Sequence, residues 1–599
     1  MRRFIEILKE NDLLRVIDEP LDVELEIPHI AYIEAKKFEE GKALLFTQPV
    51  RDKKPYAYPV LMNTFCNKKA LNLAFGRDFE EVAAELAELT RLHIPTTLKA
   101  KFDFLAQLSK LRFAPPKRLK KEKALYHYEL LSSLKELPIL KTWKLDADKF
   151  ITMGQVYTQS LDKTQNNLGM YRLQVSGDNE LLMHWQIHKD AANFCRAYKE
   201  AGLSKMPVSI AIGGDPLYIW CAQAPLPKGI FELLLYGFIK KQNAKLTPCE
   251  NGIFVPYDSD FVIKGFVDLE NFKLEGPFGD HTGFYTPPEL FPVMKVEKIY
   301  AKKDAIYQAT VVGKPPLEDR IMALATERVF LPLLQTSVPD LLDYKMPENG
   351  VFHNLILAKI DTHYPAHAQQ IMHALWGVGQ MSFVKHAIFV DKNAPALEDY
   401  ESLIPYILNR FDVEKICISE GICDQLDHAS PNACFGGKAA LDATLKSSVE
   451  ELEILDDVNL KGFFEKELEI YDLKQFYKKC KSPIVCILLD KKESIEESFT
   501  KLLRFKKHFR ILIFLDKENH LDNPYMLLWR VVNNIDAKRD IFIKNGRVAL
   551  NATAKNHFEN YQREWPRQTD CSKEMVDSLI LRKIIKDDKK LFDKFEIFG

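Results

Sequence analysis

At 599 residues the chain is long enough for several domains with large buried cores. Its 46% hydrophobic and 28% charged residues are ordinary for a water-soluble globular protein, and a net charge of −1 excludes a global field that would gather nucleic acid or an acidic membrane. Ten cysteines without a C-x-x-C pair predict reduced thiols and a cytoplasmic protein. Residues 1–10 meet acidic side chains too soon for a signal peptide, and no apolar run reaches bilayer-spanning length.

Residues 1–115 alternate helical and strand patterns. Phe4, Ile5 and Leu8 share one helix face, 43–46 and 59–62 read as short buried strands, and 80–92 reads as a helix. This predicts an N-terminal α/β domain, without a G-x-x-x-x-G-K-[ST] loop or a G-x-G-x-x-G turn. The lysines of 117–123 read as a solvated helix face. Strands predominate over 116–330. Segments 171–175 and 181–187 flank the turn Ser176-Gly177-Asp178-Asn179, and 208–212, 217–221, 261–267 and 306–312 add further strands around one helix at 230–240. A barrel-like β domain is expected. Over 331–449 the alternation returns, with strands at 355–360, 387–390 and 415–419 and helices at 365–376 and 397–411, predicting a C-terminal α/β domain with a parallel sheet.

An internal repeat follows. Ile388-Phe389-Val390-Asp391-Lys392-Asn393 is echoed by Ile513-Phe514-Leu515-Asp516-Lys517-Glu518-Asn519, and Asn409-Arg410-Phe411-Asp412 by Asn533-Asn534-Ile535-Asp536. Lys438-Ala439-Ala440-Leu441-Asp442-Ala443-Thr444 is echoed by Arg547-Val548-Ala549-Leu550-Asn551-Ala552-Thr553. Residues 450–540 therefore read as a degenerate second copy of the α/β unit. The copy lacks His428-Ala429-Ser430-Pro431 and the double glycine, so no chemistry is expected in it. The segment 541–599 ends in a charged amphipathic helix at 577–598, expected to pack on a neighbouring domain or subunit.

The chemistry centres on Leu274-Glu275-Gly276-Pro277-Phe278-Gly279-Asp280-His281-Thr282-Gly283-Phe284-Tyr285. Gly and Pro in this pattern favour a turn, and Gly lets backbone approach a ligand closely. Glu275 and Asp280 can thus be aimed from one compact loop into one pocket, where unequal surroundings supply an acid and an anion together. Asn167 and His188 lie equally far from the hairpin turn, so antiparallel register would bring them together as ligands for a divalent ion such as Mn²⁺. Glu232 interrupts the apolar run 230–236, where a carboxylate is exposed, paired or metal-bound. Arg172 can fork to a carboxylate and hold it ionised. Lys438, in the Gly436-Gly437-Lys438 turn, can meet an anion. Each also has an ordinary reading: a satisfied structural residue for Asn167 or His188, a helix edge for Glu232, a surface ion pair for Arg172.

Together these motifs resemble the UbiD-like decarboxylases, which use prenylated FMN. The resemblance covers most of the chain and is most specific over residues 275–283. It implies an N-terminal α/β domain, a central split β-barrel of the FMN-binding kind, a C-terminal α/β domain and a homo-oligomer. It also implies a Mn²⁺ held by Asn167, His188 and Glu232, with K⁺ nearby. Met170, Tyr171, Arg172, His184, Trp185, Gln186, Lys189 and Asp190 would line the flavin, with Lys438 added as an anion contact. Arg172, Glu275 and Asp280 match the catalytic trio, Asp280 being the proton donor. An aspartate at 280 fits the branch acting on phenolic ring acids. The implied substrate is a small aromatic carboxylic acid, either 1,4-dihydroxy-6-naphthoate on a route to menaquinone or a 4-hydroxy-3-polyprenylbenzoate on the route to ubiquinone. A flavin prenyltransferase would supply the cofactor, and a lipid-tailed substrate would bring peripheral membrane contact. Two other readings are an FMN-dependent NAD(P)H oxidoreductase and a non-catalytic scaffold.

Overall fold

A computed structural model describes residues 1–91, 104, 108–120, 125 and 127–598. The chain divides into two compact units. Met1–Phe330, Gln568–Asp593 and Ile597–Gly599 form the first, and Leu331–Arg567 with Lys594–Glu596 the second.

In the first unit, helix Arg2–Glu10 buries Phe4 and Leu8 on the expected face. Strands Leu14–Ile17, Ala43–Phe46 and Val60–Met62 form a mixed sheet whose fourth strand, Tyr307–Gln308, lies parallel to Val60–Met62. The expected barrel strand at 306–312 is thus only two residues long, and it extends the N-terminal sheet instead. The helix expected at 80–92 spans Phe79–Thr90, and Leu92 lies outside the described residues. Of the lysine run at 117–123, Lys117 lies in strand Lys117–Arg118 rather than a helix, and 121–123 lie outside the described residues.

The centre of this unit is a closed six-stranded barrel. Its strands are β1 (Phe150–Gln159), β2 (Asn166–Gly177), β3 (Glu180–Met183), β4 (Lys205–Ile212), β5 (Phe261–Glu275) and β6 (Glu289–Ala301). The order is β3-β2-β1-β4-β5-β6, and β6 pairs back onto β3 through Leu181↔Met294. Closure leaves neither of those strands as an open edge. Ile151, Met153, Val156, Leu173, Val208, Ile210, Ile263 and Val293 are fully buried along it, each contributing roughly 1.5–3 kcal/mol of apolar burial. Two local expectations fail here. Residues 217–221 are helical (Leu217–Ala222, every residue buried), because a short run that is apolar on all sides carries no period to separate helix from strand. The second hairpin strand stops at Met183, and 184–189 form a loop.

The second unit contains two five-stranded sheets. The first comprises β7 (Leu341–Lys345), β8 (Leu355–Ile360), β9 (His386–Asp391), β10 (Ile416–Ile422) and β11 (Phe435–Asp442) in the order β7-β8-β9-β11-β10. The second comprises β12 (Asp472–Phe476), β13 (Ile484–Leu489), β14 (Ile511–Asp516), β15 (Ile541–Lys544) and β16 (Arg547–Asn551) in the equivalent order β12-β13-β14-β16-β15. Each has a parallel centre flanked by antiparallel edges. His386 pairs with Ala439 as Ile511 pairs with Val548, which is the alignment the sequence echoes imply. Leu408, Phe411 and Val413 of the first copy pack against Ile511 and Val548 of the second. The duplicated topology runs on to Asn551, past the expected limit at 540. The tail expected as one helix at 577–598 is two short helices, Lys573–Leu581 and Lys589–Lys594. All ten cysteines are free thiols, and no described helix is long and apolar enough to cross a membrane.

Candidate active site

Three strand ends bring the acid loop to the barrel. β5 ends on Glu275, and Gly276 follows at φ +94°, a conformation that L side chains rarely adopt. Phe278–Gly279 then pairs with Tyr285–Thr286, closing a tight hairpin around Asp280–Phe284. Asp280 N–H donates to Phe284 O at 3.0 Å, and Gly283 N–H to Asp280 O at 2.9 Å. On the preceding side, Gly279 N–H donates to Asp146 Oδ1 at 2.8 Å, and Asp146 Oδ2 accepts from Trp143 N–H at 2.8 Å. Burial pushes the Asp146 carboxyl up to about 7 against those backbone donors.

Arg172 projects from β2 beside an irregularity in the β1–β2 ladder between Tyr171 and Leu173. Such irregularities commonly re-aim a side chain next to a functional site. Its Nε donates to Glu275 Oε1 at 2.7 Å and its Nη2 to Glu275 Oε2 at 2.9 Å. Nη1 donates to Asp280 Oδ2, and Nη2 also reaches Thr286 Oγ1 at 3.1 Å. The guanidinium lies over the Phe278 ring, 4.8 Å from its centroid. Burial alone would raise both carboxyls. Arg172, with His184, outweighs it and holds Glu275 at about 2, and Arg172 with His281 holds Asp280 well below the usual range. His184 sits 3.3 Å from Glu275 through Nδ1, and burial followed by the Arg172 charge lowers its imidazole below the usual histidine value.

A second cluster lies where β2 begins. Asn167 Nδ2 donates to Glu232 Oε1 at 3.1 Å, and Leu168 N–H to Glu232 Oε2 at 2.7 Å. Glu232 is the N-cap residue of helix Leu233–Lys240, not an interior residue of the expected longer helix. Burial pushes its carboxyl up to about 8, and the Asp190 charge adds to the shift. Burying an acid almost completely is costly in this way. A cavity of about 140 Å³ abuts Asn167 and Phe231, with Arg118 and Tyr157 in its lining. His188 lies in the loop after β3, two residues before Asp190, which opens helix Asp190–Glu200 with Lys189 as its N-cap. The strand pairing invoked to bring His188 to Asn167 is absent. β3 leaves the ladder at Leu173↔Met183, and β2 beyond that point pairs with β1.

Met170 and Tyr171 lie on β2, and Trp185 and Gln186 in the same loop as His188. Lys438 lies in the second unit. Its ammonium is committed to Ser382 O at 2.6 Å and Val384 O at 2.8 Å, so no cofactor contact is assigned to it. Asp146 and Thr286 carry no distinguishing local pattern, yet both hold the acid loop or its arginine, as does His281, whose contacts the motif alone does not give.

Matches to family models cover most of this chain. The N-terminal domain of 3-octaprenyl-4-hydroxybenzoate carboxy-lyase matches residues 5–90, its Rift-related domain 117–315 and its C-terminal domain 320–443. The chain belongs to the UbiD family. Among UbiD relatives, uncharacterised proteins of Helicobacter pylori strain J99 and Archaeoglobus fulgidus are 52% and 37% identical. The first aligns over 100% of this chain and 98% of its own length, the second over 74% and 92%. The fold matches vanillic acid decarboxylase of Sedimentibacter hydroxybenzoicus in its closed form (TM-score 0.64, 20% identity, 78% of this chain and 98% of that one). It also matches the UbiD-class enzyme HmfF of Pelotomaculum thermopropionicum in complex with FMN (TM-score 0.62, 21% identity, 76% and 97%).

The donor chemistry of these residues suits a flavin and a divalent ion. His184 Nε2 and Trp185 Nε1 are buried without a protein hydrogen-bond partner, as groups awaiting a polar ligand would be. Glu232 offers carboxylate oxygens, and Asn167 turns its Nδ2 to Glu232 and its Oδ1 to Thr158 Oγ1 at 3.3 Å; these hard donors suit Mn²⁺ rather than a thiolate-bound structural zinc.

Proposed function

We propose that this UbiD protein is a non-oxidative decarboxylase of a phenolic aromatic acid, using prenylated FMN and Mn²⁺. One observation carries the reading: a single buried guanidinium binds Glu275 and Asp280 together at the end of a closed barrel. The carbon–carbon bond to the carboxylate breaks, CO₂ leaves, and the bonding pair must be held until a proton reaches the ring carbon. Prenylated FMN, when bound, supplies the electron sink for that pair. Asn167, His188 and Glu232 would hold the Mn²⁺ that accompanies it, with K⁺ nearby. Met170, Tyr171, His184, Trp185, Gln186, Lys189 and Asp190 line it.

Arg172 orients the substrate carboxylate while Glu275 fixes the arginine. In the free protein Arg172 keeps Asp280 ionised. A substrate carboxylate entering beside Arg172 adds a second anion, which weakens that hold and raises Asp280 so that it takes up a proton. Asp280 then delivers this proton to the ring carbon as CO₂ departs.

Within this class we place the substrate in quinone biosynthesis, with 1,4-dihydroxy-6-naphthoate ahead of a 4-hydroxy-3-polyprenylbenzoate, because the chain is of the long form. A flavin prenyltransferase supplies the cofactor, and the enzyme works as a homo-oligomer. The test is to co-express the chain with a flavin prenyltransferase, identify the bound flavin by mass, and measure CO₂ from each acid. Release of CO₂ from neither, with NAD(P)H oxidised on plain FMN, would overturn the reading.

A further inference from the structure

The acid loop is completed by a segment far along the chain. Gln568 forms an antiparallel bridge with Phe284. Thr569 N–H donates to Gly283 O at 2.9 Å, and Thr569 Oγ1 to the same oxygen at 3.3 Å. Phe284 O is in turn the acceptor of Asp280 N–H. Thr569 is fully buried and also walls the other end of the loop. A Cβ built on Gly279 would lie 2.7 Å from Thr569 Cγ2 and 2.3 Å from Trp143 Cδ1, and one on Gly313 would lie 3.2 Å from Thr569 Oγ1. Asp570 is tied at 2.5 Å to Lys314, which is itself buried. Farther on, Arg582 pairs with Glu26, and Arg15 donates to Ile584 O, so the chain is anchored again on the C-terminal side of Thr569. The family-model matches end at residue 443, so this contact comes from a part of the chain that they do not cover.

We propose that Gln568–Asp570 is a strap that sets the acid loop, and that Thr569 is a positioning residue acting through Gly283 and Phe284 on the Asp280 carboxylate. The loop is pinned at Gly279 by Asp146 and at Gly283 by Thr569, with Asp280 between the two pins. Releasing the second pin frees the loop's C-terminal limb, while Arg172 still binds Glu275 from β5. The consequence for catalysis rests on the decarboxylase reading; the consequence for loop order does not.

The test uses full-length Thr569→Pro, which removes the N–H donor, Thr569→Ala, which removes both the Oγ1 hydrogen bond and the Cγ2 wall beside Gly279, and Thr569→Ser, which loses that wall but keeps both hydrogen bonds. Amide exchange of a peptide covering 276–286 should quicken about ten-fold in Thr569→Pro and about three-fold in Thr569→Ala, while a peptide covering 150–159 keeps its rate. In holoenzyme, kcat should fall roughly ten-fold in Thr569→Pro with KM and flavin content within about two-fold of wild type, and Thr569→Ser should restore it. Unchanged exchange at 276–286 in Thr569→Ala, or a loss confined to KM, overturns the proposal. If Thr569→Pro does not fold, Thr569→Ala decides alone. Should wild type release no CO₂ while loop exchange still quickens, the strap stands and only the decarboxylase reading fails.

Discussion

Arg172 and Glu275 meet through two parallel nitrogen–oxygen contacts, 2.7 and 2.9 Å long, with the carboxylate fully buried. This fork is rigid because each oxygen of Glu275 has its own donor, and Arg172 keeps a further nitrogen for Asp280. Replacing Arg172 by Lys retains a charge but not the fork. Replacing it by Met strands two buried acids. Arg172→Met should destabilise the protein by about 3–5 kcal/mol in urea unfolding, with Arg172→Lys intermediate. Turnover should fall in both, because each loses the second contact to Asp280.

The same pair sets an acid limit on stability. Glu275 is held at about 2 against an ordinary 4.5, so its folded pKa is depressed. Its contribution is fully present above about pH 4.5 and is lost as pH falls toward 2, a loss on the order of 3 kcal/mol. Asp280 shifts in the same direction and steepens the same limb. Melting temperature measured from pH 6 down to pH 3 should therefore fall steeply in wild type and more shallowly in Glu275→Gln. That variant starts lower, because Arg172 loses an ionised partner. Parallel curves would refute the coupling.

Asp280 differs from Glu275 in what it can exchange. It touches the loop backbone and His281 as well as Arg172, so removing its charge leaves the barrel framework in place. Asp280→Asn should retain flavin and fold but lose about 10²–10⁴ in kcat, the range expected for a missing general acid. Asp280→Glu should recover part of that loss. Near wild-type turnover in Asp280→Asn would remove Asp280 from its role.

Much of this site is legible from sequence because its chemistry is local. Glu275 and Asp280 share one turn whose Gly276 needs positive φ, and Arg172 lies in a hairpin marked by Ser176-Gly177-Asp178-Asn179. The duplicated sheet is legible because Ile388 and Ile513 occupy equivalent strands with equivalent neighbours. What escapes depends on distance along the chain. Thr569 meets Gly283 across 286 positions, and no pattern around Gln568 announces that partner. The same holds for Asp146 and Gly279, 133 positions apart. The segment Leu217–Ala222 escapes for another reason, since burial on every side erases the periodicity that distinguishes helix from strand.

The two copies in the second unit are joined by Asp536. Its Oδ2 accepts from Gly437 N–H at 2.6 Å, while its Oδ1 accepts from Lys538 and Arg539 N–H at the start of helix Ala537–Asp540. Asp536→Ala removes a helix cap and leaves a buried N–H unpaired, so about 2–4 kcal/mol of stability should be lost from this unit. Flavin content should be unchanged. Differential scanning calorimetry with flavin absorbance separates the two effects.

The Glu232 cluster makes the last prediction, and its sign is opposite to that of Glu275. Burial raises Glu232 from 4.5 to about 8, so in the metal-free protein the carboxyl is protonated at neutral pH. If Glu232 holds Mn²⁺ as proposed, the ion must displace that proton, so its affinity should climb as pH rises toward 8 and level off above it. Glu232→Gln keeps the shape and can keep the hydrogen bond to Asn167, but it has no proton to give up and no charge to offer. It should be at least as stable as the metal-free wild type, because it avoids the cost of a buried acid. It should also bind Mn²⁺ at least about ten-fold more weakly, with the pH slope abolished. Titration calorimetry of Mn²⁺ at pH 6, 7 and 8 on both proteins checks this. A flat wild-type profile would mean that Glu232 does not hold the ion.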